Sequence, residues 1–70
     1  MCIAKVSIAF HKAGFRVVGR KDGNFVATKG SVSYVYSMDE GELFYERLVG
    51  EEVDLVGNGV DEILEAIGDE

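Results

Sequence analysis

Nine glycines and no proline divide this chain of 70 residues into short segments rich in β-branched and aromatic side chains. That punctuation restricts the fold more than any other feature. Segments of about four to eight residues match strands joined by tight turns. Lys21-Asp22-Gly23-Asn24 is a strong hairpin signal, because Asp-Gly supplies left-handed backbone. Phe15–Gly19 precedes it and Phe25–Thr28 follows. Lys29-Gly30-Ser31 then leads into Val32-Tyr34-Tyr36, which alternates as a strand does. Val6-Ile8-Phe10 alternates in the same way, with Lys5, Ser7 and Ala9 on the other face. It predicts a first strand, turned back by Lys12-Ala13-Gly14. Glu51–Val56 reads as a further strand.

Two segments are less strand-like. Ser37 to Glu40 fits a capping box opening a helix with Phe44, Tyr45, Leu48 and Val49 on one side. Asp39-Glu40-Gly41 fits equally a tight turn into a strand. Glycine so early in a helix is unfavourable, so the turn is preferred. After Asn58-Gly59, residues Val60, Ile63, Leu64 and Ile67 follow helical spacing, and Asp61 and Glu62 suit a helix N-terminus. A helix is expected over 60–67, with a final strand as the alternative. The whole predicts one mostly β domain over 1–70: a small antiparallel β-barrel-like fold with a short C-terminal helix.

A chain this short buries a small core and is often helped by disulfides, a metal or a partner. One cysteine excludes an intrachain disulfide. Lys5 breaks the apolar start, so no signal peptide is expected, and no apolar run is long enough to span a membrane. A single free thiol fits a reducing, cytoplasmic setting. The net charge of −6 hides a split. Residues 1–38 carry six cations against Asp22, and residues 39–70 carry twelve acids against Arg47. Such polarity suggests head-to-tail self-association or two partner faces, unless the acids only solubilise the second half. The sparse basic half argues against a nucleic-acid binder.

Cys2 lies next to the start methionine. Its thiolate and its own main-chain nitrogen close a five-membered chelate ring, and the Met1 amine could add a donor. That set suits Cu(II) or Ni(II). The plain alternative is a small hydrophobe opening a strand. His11, at the end of the expected first strand, would stand roughly 30 Å from Cys2. It reads as a surface histidine. Met38 reads as a turn or core residue. Asp39, Glu40 and Glu42 lack the spacing of a calcium loop. Tyr34, Tyr36, Phe44 and Tyr45 read as core and dimer contacts, and no glycine run forms a phosphate loop. No catalytic constellation is visible, and the chain is not expected to be an enzyme.

Met1-Cys2-Ile3-Ala4-Lys5-Val6 resembles the opening of the CooT-type nickel-binding proteins associated with carbon monoxide dehydrogenase. Val53-Asp54-Leu55, then Gly59-Val60 and Ile63-Leu64-Glu65, resembles their closing pattern. The wider family includes HypC-type hydrogenase maturation chaperones, which also begin Met-Cys and fold as a small β-barrel with a C-terminal helix. Lys5 and Val6 stand where those chaperones carry proline, and Val56 stands where they carry a histidine. These departures favour the CooT side. The resemblance implies a cytoplasmic homodimer that binds Ni(II) through Cys2 of both chains. It further implies a metallochaperone-type accessory role in maturation of a nickel enzyme such as carbon monoxide dehydrogenase. One chain offers one thiolate, so a two-sulfur site requires two chains on a two-fold axis. The alternatives are an acidic protein-binding module that presents residues 39–70, or a hydrogenase-type chaperone that holds a partner through Cys2.

Overall fold

The computed structural model describes the backbone of residues 2–70 and the side chains of residues 3–70. The elements in order are α1 (Cys2–Lys12), β1 (Arg16–Gly19), β2 (Phe25–Lys29), β3 (Val32–Asp39), β4 (Glu42–Val49), β5 (Glu52–Asn58) and α2 (Val60–Gly68). The strands form one antiparallel sheet in the order β1-β2-β3-β4-β5. The fold is mostly β with a short C-terminal helix, as expected, but the sheet is open and not a closed barrel. Both helices pack on one of its faces.

The expected first strand is a helix. Val6 and Phe10, four residues apart, are fully buried, whereas Ile8 is 56% exposed. An alternating strand would have put all three on one side. Ile3 and Ala13, half-buried, extend the same helical stripe. The run satisfies both periods, and burial against the aromatic sheet face selects the helical one. The helix stops at Gly14, whose φ of +91° is the left-handed conformation glycine tolerates. The Phe15 N–H donates to the Phe10 carbonyl at 2.9 Å, and the Gly14 N–H to the His11 carbonyl at 3.0 Å. This is the Schellman pattern, and the Phe10 and Phe15 rings meet edge-on at 5.0 Å, as that motif favours.

The β3–β4 hairpin settles residues 37–49 as a turn into a strand. Asp39 pairs with Glu42 across Glu40 and Gly41, which have φ of 51° and 81°. Two left-handed central residues give the turn whose twist matches a hairpin. The stripe of α2 matches the sequence reading: Ile63 and Ile67 are buried, and Val60 and Leu64 half-buried.

The inner face of the sheet supplies an aromatic core. Tyr34, Tyr36 and Tyr45 are buried beside Phe10 and Phe15. Phe10 lies 4.9 Å from the Tyr34 ring and 5.2 Å from the Tyr36 ring. Each phenol finds a partner. Tyr36 Oη and Ser7 Oγ are 2.9 Å apart, Tyr45 Oη donates to Glu62 Oε1 at 2.7 Å, and Tyr34 Oη to Glu70 Oε2 at 2.6 Å. Two helices cover this face, so its burial does not require the sheet to close on itself.

Candidate functional site

Two features carry functional chemistry: the start of α1 and the uncovered face of the sheet. Cys2 is the first residue of α1, so its backbone N–H belongs to the group that has no carbonyl partner within a helix. The Cys2 side chain and the whole of Met1, including its proposed amine donor, lie outside the described residues. Ser7 reaches Tyr36 on the inner face, and the Gly59 N–H donates to the Leu43 carbonyl at 2.8 Å just before α2 begins. Asp39, Glu40 and Glu42 border the turn that precedes Leu43, and Asp61 and Glu62 follow Gly59. Among the described residues, no three His, Cys, Asp or Glu side chains converge on a point where a metal ion would sit. Glu42 accepts a hydrogen bond from Asn58 Nδ2, and Glu62 is engaged by Tyr45.

His11 is an exposed residue of the last turn of α1. Because the segment is helical, the expected 30 Å separation from Cys2 is wrong. Nine residues of helix rise roughly 14 Å, and at about 100° per residue they place the two on opposite sides. Met38, 38% exposed, is the penultimate residue of β3, opposite Leu43, and so lies in neither the turn nor the core.

The register defines the other side of the sheet. Arg16, Thr28, Ser33, Leu48 and Val53 form one cross-strand row. Val18, Val26, Val35, Glu46 and Val56 form the next. Beyond them Ser37, Phe44 and Asn58 align. Val18, Phe44, Val53 and Val56 are exposed, Val56 by 70%. A shallow depression of about 230 Å³ opens here, lined in part by Asn24, Val35, Ser37, Phe44, Glu46 and Val56. Phe44 therefore belongs to this outer surface and not to the core with Tyr34, Tyr36 and Tyr45. Sequence reasoning missed the face as a whole. Its signal was that Val35 sits between two core tyrosines, and Phe44 between Leu43 and Tyr45. A one-sided antiparallel sheet would carry polar residues at such positions.

Charge is arranged around the edges of the inner face. Arg47 Nε donates to Asp54 Oδ1 at 2.9 Å and Arg47 Nη2 to Asp54 Oδ2 at 3.0 Å, a two-pronged pair across the β4–β5 register shift. That guanidinium holds the Asp54 carboxyl below its ordinary range, and the Asp54 contact pushes the Arg47 pKa up. Burial, then the Glu62 carboxylate, pushes the Tyr45 phenol up to about 12. Burial raises Tyr34 and Tyr36 as well. A raised phenol stays neutral, and Tyr34 and Tyr45 donate to carboxylates, so these tyrosines serve as fixed struts. Among the described residues, no helix is long and apolar enough to cross a membrane.

The chain matches no family model, no curated protein and no solved structure.

Proposed function

We propose that this chain is a non-catalytic protein-binding module whose working surface is the uncovered face of its sheet. The observation that carries this reading is the central row Val18, Val26, Val35, Glu46 and Val56, apolar at four of its five positions and left uncovered by either helix. Contiguous apolar surface of this kind marks sites of association. The test is binding of a dye that fluoresces on apolar surfaces, with the chain dilute enough to stay dissociated. Wild type should enhance emission, and Phe44→Ser with Val56→Ser should abolish the enhancement at unchanged circular dichroism. A dark wild-type sample overturns the reading.

A second reading is favoured by one observation, the position of Cys2 at the first residue of α1. A helix N-terminus stabilises thiolate and leaves the adjacent N–H unpaired. The thiolate, and the amide nitrogen once it has lost its proton, are donors that square-planar Ni(II) takes. In this reading Cys2 of two chains binds Ni(II) on a homodimer axis. The protein then acts as a metallochaperone-type accessory for a nickel enzyme such as carbon monoxide dehydrogenase, as the resemblance to CooT-type proteins implies. Thiolate-to-metal charge-transfer absorption on adding Ni(II), lost in Cys2→Ser, supports it. Absence of that absorption in the wild type overturns it.

A further inference from the structure

We infer that the uncovered face of the sheet binds a second copy of this chain, face to face, about a two-fold axis running along β3. The inference rests on the reading of that face as the working surface. Three observations select this occupant: the size of the face, its shape and the placement of its charges.

Five strands about 4.8 Å apart make a face roughly 24 Å wide. Three cross-strand rows, each about 6.8 Å from the next, make it roughly 20 Å long. The third row spans only three strands, so the face is about 420 Å² per copy in projection, and about 850 Å² for a pair, a size that fits weak, reversible self-association. The face is a sheet with short apolar side chains and one depression. Sheets of this form pack on each other about 10 Å apart with strands nearly aligned, as in a sandwich core. Two open sheets joined in this way bury what each leaves exposed.

The charges decide the orientation. The three rows contain only two charged residues, Arg16 on β1 and Glu46 on β4. A two-fold along β3 lays β4 of the partner over β2 of this chain. The partner's Glu46 then comes over Val26, one row and one strand from Arg16, within reach of an arginine side chain. Both charges are neutralised, twice by symmetry. Val35 meets its own copy on the axis. A two-fold perpendicular to the strands instead sets Glu46 against Glu46, which buries like charges and is strongly disfavoured. A foreign partner would have to supply the same cation over Glu46 and the same acid near Arg16, whereas a second copy carries both in register.

Sedimentation equilibrium over a wide concentration range tests the inference. The wild type should dimerise. Glu46→Arg and Arg16→Glu, both on the surface, should each weaken the dimer about tenfold or more. The double variant Arg16→Glu with Glu46→Arg should restore it to within about threefold, since the swap rebuilds the pair. Val35→Asp should abolish the dimer, and circular dichroism will show whether that variant folds. A dimer indifferent to Glu46→Arg overturns the inference. A wild type that stays monomeric but binds the apolar dye also overturns self-docking, and leaves the binding surface standing. A monomer that binds no dye overturns both.

Discussion

Tyr34 Oη donates a 2.6 Å hydrogen bond to Glu70 Oε2, and Arg47 Nη1 lies 3.3 Å from the same oxygen. The carboxylate of Glu70 thus ties the end of the helical layer to the centre of β3 and to β4. Tyr34 itself is fully buried, so its ring packs the core while its hydroxyl reaches the rim.

Removing that hydroxyl leaves the packing in place and isolates the hydrogen bond. Tyr34→Phe should lower unfolding stability by about 1.5–3 kcal/mol, the range for a bond to a charged acceptor. Urea denaturation should show a lower midpoint at unchanged slope. Glu70→Gln should couple to it in a double-mutant cycle, and strict additivity of the two would show that the bond contributes nothing.

Gly57 on β5 faces Tyr45 and has no room for a side chain. A Cβ there would overlap Glu62 Oε1 and lie 2.7 Å from Tyr45 Oη. Gly57→Ala should cost about 1–3 kcal/mol, because the Tyr45–Glu62 hydrogen bond must break or shift. Thermal melts against Gly68→Ala, a position where an added Cβ meets nothing within 4 Å, give the comparison.

Stability should fall at alkaline pH. The Tyr45 phenol has an ordinary value of 10.0 and is raised to about 12 in the fold. The folded state holds its proton while the unfolded chain releases it. The stabilisation is therefore complete below pH 10 and is lost as pH rises toward 12. Tyr34 and Tyr36, also raised, steepen the loss. Tyrosinate absorbance and circular dichroism should change together, and Tyr45→Phe should flatten the dependence. Asp54 acts at the other end of the scale. Its carboxyl is lowered from 3.8 by Arg47, so that contribution is present above this value and is lost as pH falls through the lowered one.

Nickel gives a further prediction. The helices lie on the opposite side of the sheet from the proposed dimer face. Two chains joined sheet to sheet therefore carry their Cys2 residues on opposite outer layers. A two-thiolate Ni(II) site must form on a separate axis. If both associations operate, native mass spectrometry should show added Ni(II) linking dimers into larger assemblies, and Cys2→Ser should stop that linkage while keeping the dimer. His11→Ala should change Ni(II) affinity by less than about tenfold, since the helix sets it apart from Cys2.

Local chemistry was enough to place the hairpins and α2. Asp22-Gly23 and Glu40-Gly41 specify their turns through left-handed backbone, which depends on the residues present and little on what surrounds them. The alternation of Val32, Tyr34 and Tyr36 fits a strand, and Val60, Ile63, Leu64 and Ile67, with an odd spacing between Val60 and Ile63, fit a helix. Residues 2–12 had no such local answer. Val6 with Phe10 satisfies a strand and a helix alike, and the choice falls to what those side chains pack against. Only the assembled aromatic face, with Tyr34 and Tyr36 waiting to be covered, turned that segment out of the sheet and into a helix. The same event left the sheet open and its other face bare. Secondary structure whose period is unambiguous is written in consecutive residues. The partner of an apolar surface is set by contacts between residues far apart in the chain, and those exist only once the fold has formed.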